Sequence, residues 1–411
     1  MAIRISDASS SRNRSPVIRY ANRSFLHAAT RAGADDAVPV GPFGIDPAIW
    51  APLRLVIAVL LAVGLVFNGA LAQIYLERKI QAIIQDRLGP LHTGPWGLLQ
   101  TFADAIKLLG KEDIRARLTD KWFFLAAPSI VFSPMLASYV VIPFAPGIVG
   151  ADLNVGLLYL TTLGSMTVLG IVIAGWASNN KYSLIGGLRS AGQLISYEVP
   201  QIVSLVTVVL VVGTLSMVGI AESQPGWQLN FLVLPLAFVT YFIAGLAETN
   251  RAPFDLPEAE SELVAGFLTE YSGMRWAIFF LAEYGEVTVV SSIVTTLWFG
   301  AWHGPFVEVF PLLGVLWFTL KTYFFVLVFM WIRATLPRLR IDQLMSLCWK
   351  VLIPLTLTNL VVTATLLLVF PNTVLPVAVA NWILLAAFVL VLPYVQRRRL
   401  VALRERLRTA A

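Results

Sequence analysis

The sequence predicts an all-α fold: a polytopic membrane bundle of about nine transmembrane helices with one amphipathic helix at the membrane interface. Composition supports this class, because hydrophobic residues make up 57% of the 411 residues and charged residues only 13%. Soluble domains carry about 25% charged residues. The apolar residues are also concentrated in long runs, and about 20 of them in sequence are needed to cross the ~30 Å hydrocarbon layer.

Nine apolar runs are candidate spans, and the ninth is short of twenty residues. They cover approximately 53–76, 122–144, 155–177, 192–216, 230–248, 275–299, 311–332, 350–370 and 377–395. Several contain proline or glycine, which membrane helices tolerate because neighbouring helices satisfy the freed backbone groups. The spans predict an eight-span membrane domain over 51–371, followed over 372–411 by an additional span and a basic cytoplasmic tail.

Residues 1–50 form an N-terminal basic extension that we expect to be disordered. The segment has six arginines and few acids, and it lacks the apolar core of a secretory signal. Such a composition is similar to that of an organellar transit peptide. A bacterial extension is the simpler interpretation, and both remain open.

Lysine and arginine predict the orientation of the spans, because cytoplasmic loops of membrane proteins are enriched in them. Most of the 30 basic residues lie in or beside the connections after spans one, three, five and seven and in the C-terminal tail. The connections after spans two, four, six and eight contain none. The first set is therefore expected on the cytoplasmic side.

The composition also excludes several classes of site. The chain has one cysteine, Cys348, and three dispersed histidines, His27, His92 and His303. These cannot form a recognisable zinc, haem or iron–sulfur site, and no glycine-rich nucleotide motif occurs. The net charge of +6 does not indicate nucleic acid, since the basic residues lie between apolar runs. If the protein takes part in redox chemistry, electrons must come from another polypeptide.

Two of the predicted cytoplasmic connections are long enough to carry function. The first, about 77–121, repeats apolar residues at helical spacing, which predicts an interfacial amphipathic helix. Those residues are Leu98, Leu99, Phe102, Ile106 and Leu109. The second connection, about 249–274, is strongly acidic. Its acids are Asp255, Glu258, Glu260, Glu262 and Glu270.

Ionisable residues inside apolar spans are the main functional signal. They are Glu198, Glu248, Glu283, Glu286 and Lys321. A charge at the helix centre costs about 2.5–3.5 kcal/mol on insertion scales, so such residues usually mark ion pathways. A structural ion pair, such as Glu283 with Lys321, is the alternative. One lysine cannot neutralise four carboxylates, which favours a proton relay or a cation path.

Five ordered motifs carry a resemblance to a known family. They are ERKIQAIIQDRLGP, GLLQTFADAIKLLGKED, LRSAGQLISYEVPQ, ETNRAPFDLPEAESELVAGFLTEYSG and WIRATLPRLRIDQLMSLCWK. Together they span roughly 70–365 and closely resemble the H subunit of respiratory complex I, the proton-translocating NADH:quinone oxidoreductase. The chain departs from the family at Leu91, where asparagine is usual, and Glu286 is also less typical.

The resemblance implies a membrane subunit that forms the quinone access channel and the first proton or conformational relay of a larger complex. Quinone is the implied substrate, and no cofactor or metal is expected in this chain. FMN and iron–sulfur clusters would lie in the partner subunits, which include those of the hydrophilic arm and small membrane subunits. The implied location is the bacterial plasma (inner) membrane, with an organellar inner membrane as the alternative.

Site residues carried over by position fall into two groups, and none is expected to be catalytic by itself. The expected quinone-channel residues are Arg78, Asp104, Ala105, Lys107, Arg189, Phe254 and Arg333. The expected relay residues are Glu198, Glu248, Asp255, Glu258, Glu260, Glu270 and Glu283, with Lys321 added because it can bias the deepest acid.

Two other functions remain open at this point. A stand-alone cation/proton antiporter would also have intramembrane acids, although the motif order shows no inverted repeat. The anchor subunit of a related membrane-bound hydrogenase is the third possibility. The basic first connection and the full set of motifs argue against it.

Overall fold

The structure, a computed structural model, describes residues 47–226, 228–255, 263–307, 309–371 and 373–390. Most of the predicted N-terminal extension and the basic tail lie outside these ranges. The same is true of Glu258 and Glu260 in the acidic loop. Within the described ranges the chain forms helices joined by turns and contains no β-strand.

The helices are numbered in chain order. They are α1 (Pro47–Ile84), α2 (Gln100–Gly110), α3 (Lys121–Ser138), α4 (Gly156–Ala177), α5 (Lys181–Val212), α6 (Met217–Glu222), α7 (Asn230–Val233), α8 (Pro235–Glu248), α9 (Gly273–Trp298), α10 (Leu313–Thr335), α11 (Ile341–Leu347), α12 (Ile353–Val369) and α13 (Leu375–Leu390). Short 3₁₀ turns lie at Pro95–Gly97 and Gly266–Leu268, and a π-helical turn, Cys348–Leu352, joins α11 to α12.

Seven of these helical segments within the described residues are long and apolar enough to cross a membrane. Two shorter apolar helices, α8 and α13, correspond to the predicted fifth and ninth spans. The fold class predicted from the sequence is therefore confirmed. The fifth span is short because the chain breaks at Leu234 before Pro235, and proline cannot supply the backbone N–H that would continue a helix.

The fourth span begins earlier in the structure than the sequence predicts. Helix α5 begins at Lys181, whereas hydropathy predicts a start at 192. The turns before residue 192 carry Ser183 and Ser190, which are both buried. These polar side chains face neighbouring protein rather than lipid, so a hydropathy window does not recognise this part of the helix as a span.

Helix α9 is the central element of the bundle. It packs against α1, α3 and α10, and 67% of its most apolar window is buried, compared with 22% for the segment Ile341–Val369. Because α9 is surrounded by protein, an ionisable side chain on it can meet partners from several other helices. This position makes α9 the organising helix of the candidate site.

The predicted amphipathic helix is confirmed as α2. Its apolar side chains Phe102, Ile106 and Leu109 are at least half exposed, whereas Asp104 turns towards α1 and binds Arg78. An exposed apolar stripe on a helix of this kind is typical of a segment that lies in the membrane interface.

Candidate functional site

A buried ion-pair network joins α1, α9, α10 and the loop after α8. Glu77, near the end of α1, accepts hydrogen bonds from Arg333 of α10 and, at 3.2 Å, from Nη1 of Arg251. The Nε of Arg251 lies 2.8 Å from Oε1 of Glu283 on α9. We call these four residues the ion-pair junction. Its charges alternate along a line from Arg333 through Glu77 and Arg251 to Glu283.

Arg251 is the shared member of the junction and is only 4% exposed. Its guanidinium lies 4.0 Å from the ring centre of Tyr284, whose hydroxyl donates to Glu77 at 2.8 Å. Burial alone would lower the pKa of Arg251, but the carboxylates of Glu283 and Glu77 outweigh it, so the pKa is raised. The arginine therefore stays charged, and removing it would take away the cation that Glu283 binds.

Glu283 does not pair with Lys321, the alternative considered from the sequence. The ammonium group of Lys321 donates instead to the backbone carbonyls of Phe299 at 2.7 Å, Ala301 at 3.1 Å and His303 at 2.7 Å. Phe299 follows Glu283 by a rise of about 24 Å along the helix. Lys321 therefore satisfies carbonyls at the far end of α9 and does not form the alternative ion pair with Glu283. The expected influence of Lys321 on the deepest acid stays a prediction.

A second group of acids lines a cavity between α3, α4, α5, α8 and α9. Three glutamates face it, Glu198 from α5, Glu248 from α8 and Glu286 from α9, and the cavity volume is about 40 Å³, which is enough for water. We call it the acid cavity. Ser165 donates a hydrogen bond to Glu198, and the amide of Gln201 donates to Glu248 at 2.5 Å. Within the described residues, no lysine or arginine forms a salt bridge with any of the three glutamates.

The position of Glu248 depends on a glycine in α4. A Cβ atom at Gly164 would lie 3.1 Å from Oε1 of Glu248, which is tighter than an ordinary van der Waals contact. The missing side chain therefore leaves room for the carboxylate at the cavity wall. This contact gives Gly164 a role that its spacing in the sequence does not reveal.

The expected quinone-channel residues are only partly brought together. Arg78 and Asp104 form a salt bridge of 2.6 Å with side chains 44% and 32% exposed. Ala105 and Lys107 lie beside Asp104 on α2, with Lys107 exposed. Arg78 follows Glu77 of the ion-pair junction directly, so Arg333 lies close to this group.

Arg189 lies on α5, and the backbone N–H of Phe254 donates to the carbonyl of Arg251 at 2.8 Å. The ring of Phe254 is buried and lies 5.5 Å from that of Tyr197, centre to centre. Its carbonyl accepts a 2.8 Å hydrogen bond from Gln193, which also binds the carbonyl of Ala247. Arg189, partly buried, lies one turn before Gln193 on α5.

The described acids of the loop after α8 bind protein partners. Asp255 forms a 2.8 Å salt bridge with Arg338, and Glu270 accepts a 2.7 Å hydrogen bond from Asn180. Glu258 and Glu260, which the sequence also assigns to the relay, lie outside the described residues. The two described acids therefore connect the loop to α5 and to the segment after α10.

The sequence alone does not identify Glu77 and Arg251 of the ion-pair junction. It also does not identify Ser165 and Gln201, which donate hydrogen bonds to the acids of the cavity. Glu77 and Arg251 lie just outside their apolar runs, where charges are common, so depth in the membrane did not distinguish them. Ser165 and Gln201 are neutral and give no signal in a search for ionisable residues. The described residues contain no group of three histidine, cysteine, aspartate or glutamate side chains arranged to hold a metal ion.

Comparison with known proteins identifies the family. The NADH dehydrogenase family model matches residues 56–364. The NADH-quinone oxidoreductase H subunit of Chlorobaculum parvum is 49% identical over 335 residues, which covers 77% of this chain and 93% of the relative. The H subunits of Protochlamydia amoebophila and Rubrobacter xylanophilus are 50% and 48% identical, over 74% and 77% of this chain and 94% and 97% of theirs. The chain therefore belongs to the family of NADH-quinone oxidoreductase H subunits, as its five motifs predict.

Proposed function

We propose that this chain forms the quinone access path of an NADH:quinone oxidoreductase and the first relay that couples quinone reduction to proton translocation. The relatives' shared name supports this function over an antiporter or a hydrogenase anchor. Quinone is then the substrate, and FMN and iron–sulfur clusters belong to partner subunits of the hydrophilic arm. The matching bacterial relatives favour the plasma membrane of a bacterium.

The ion-pair junction is the observation that carries this proposal. Its member Glu77 directly precedes Arg78 of the Arg78–Asp104 pair, and its last member, Glu283, lies on the central helix. Glu286 then follows Glu283 by three residues and faces the acid cavity. Ionisable groups therefore occur at several positions between the proposed quinone side and the interior of the bundle.

A change of charge on the quinone can act through this line of groups. At ~8 Å and an effective dielectric constant of ~20, one unit charge changes a neighbour's energy by about 2 kcal/mol, equivalent to about 1.5 pKa units. An anionic quinone intermediate would attract Arg333 and Arg251. Arg251 would then neutralise Glu283 less well, and Glu283 would take up a proton.

The quinone path is tested by narrowing it at α2. Ala105→Trp places a large ring beside the Arg78–Asp104 pair, so quinone reductase activity should fall several-fold. Reduction of an artificial acceptor by the hydrophilic arm should persist, because that reaction does not need the membrane path. Gly110→Ala, on the same helix with nothing within 4 Å of the added Cβ, is the matched control.

Two results would contradict the assignment of the path. One is an Ala105→Trp complex that assembles and reduces quinone at the wild-type rate. The other is an equal loss of both activities in a fully assembled complex, since that would place the defect outside the quinone path.

A further inference from the structure

Glu286 is the acid that connects the ion-pair junction to the acid cavity. It follows Glu283 on α9 by three residues, and side chains three apart are neighbours on one side of a helix. Glu283 binds Arg251 at 2.8 Å, whereas Glu286 lines the cavity beside Glu198 and Glu248. A smaller adjoining pocket is lined by the same three acids. Of the two acids on α9, Glu286 is therefore the one placed to exchange protons with the cavity.

Among the described residues, no lysine or arginine forms a salt bridge with Glu286. Helices α5 and α8 contribute Glu198 and Glu248, while α3 and α4 contribute apolar and hydroxyl groups such as Met135 and Thr161. Carboxylates that share a site without a positive partner cannot all remain ionised. At least one proton must accordingly be held among these acids.

A buried hydroxyl gives independent evidence that the cavity holds a polar occupant. The side chain of Tyr241 is 0% exposed and lines the same cavity. Its hydroxyl makes no hydrogen bond within 3.5 Å among the described residues, although Gln201 is a polar neighbour, and buried polar groups are nearly always paired. A water molecule in the cavity would satisfy this hydroxyl and could connect the glutamates.

We propose that Glu286 is a proton-carrying residue of the relay, exchanging a proton with Glu248 through water in the acid cavity. This inference rests on the proposed function. In the transfer step the O–H bond of the Glu248 carboxyl breaks and an O–H bond forms on an oxygen of Glu286. The total charge of the pair is unchanged, and one neutral acid and one carboxylate remain after the step.

The test uses the assembled complex in proteoliposomes, with quinone turnover and protons translocated per quinone measured together. Glu286→Gln keeps the shape of the protonated acid but cannot release a proton, so turnover should fall by about tenfold or more. Glu286→Asp keeps a titratable group and should recover part of the loss. Glu222→Gln, an exposed glutamate at the end of α6, is the matched control and should behave as wild type.

The outcomes separate this inference from the proposed function. If Glu286→Gln turns over and pumps as wild type while Glu248→Gln does not, Glu286 is not in the relay but the relay stands. If neither variant has an effect, both the role of Glu286 and the proposed relay are wrong. Equal losses with glutamine and aspartate, or failure of the glutamine variant to assemble, would assign Glu286 a structural role and overturn the inference.

Discussion

The ion-pair junction and the acid cavity differ in the groups that bind their carboxylates. In the junction, Glu77 and Glu283 are held by Arg251 and Arg333. In the cavity, Glu198 and Glu248 are held by the neutral donors Ser165 and Gln201. Both regions meet on α9, where Glu283 and Glu286 lie within one turn of each other.

The difference separates two ways of moving charge. Where arginines pair with the acids, the charges of the resting state are fixed. A change on the quinone can then be transmitted only if the arginines change how strongly they bind each carboxylate. Where none of the described cations contacts the acids, their charges are neutralised by bound protons. A change on the quinone can then be transmitted when one of these protons moves. The proposed relay uses both, with electrostatic transmission in the junction and proton transfer in the cavity.

Arg251→Gln should have the largest effect on stability, because the buried Glu77 and the partly buried Glu283 lose the partner that they share. Breaking a buried ion pair by removing one member costs about 3–5 kcal/mol. Arg338→Gln is the matched control, since the Arg338 side chain is 41% exposed and exposed pairs contribute about 0–1 kcal/mol. Assembly of the complex and its thermal dissociation temperature measure both effects.

A second substitution sharpens this result. Adding Glu283→Gln to Arg251→Gln removes one of the unpaired charges, and Glu77 keeps Arg333, so the double variant should be more stable than Arg251→Gln alone. Equal stability of the Arg251→Gln and Arg338→Gln complexes would show that the junction is not an obligatory charge network.

Gly164→Ala should have a smaller effect that is confined to the cavity. The added methyl group would crowd Oε1 of Glu248 at 3.1 Å, and turnover should fall about two- to fivefold, equivalent to roughly 0.4–1 kcal/mol. Gly192→Ala is the control, because nothing lies within 4 Å of its added Cβ on α5. The same turnover in both variants would remove Gly164 from the set of residues that position Glu248.

The sequence predicts the fold well because the bilayer imposes a simple rule of length and apolarity. All nine predicted spans correspond to apolar helices in the described residues. The rule fails where helices face protein, as at Ser183 and Ser190 in α5, and where proline breaks a span, as at Pro235. Hydropathy identifies residues that contact lipid. It therefore does not identify the part of a helix whose side chains contact other helices.

The site is only partly predictable for a related reason. Hydropathy places Glu198, Glu248 and Glu283 at depth, but it does not give the direction in which a side chain points. A pair between Lys321 and Glu283 is therefore compatible with the sequence, although Lys321 binds carbonyls at the other end of α9. Arg251 gives no signal in the sequence because its long side chain enters the bundle from a loop.

The most direct test of the relay is infrared difference spectroscopy of the complex before and after quinone reduction. We expect a change in the C=O stretch of protonated carboxyl groups, shifted in D₂O, in wild type and in the Glu222→Gln control. That change should be reduced or lost in Glu248→Gln, which cannot titrate at the cavity. An identical carboxyl signal in all three proteins would contradict the claim that quinone reduction changes the protonation of the acid cavity.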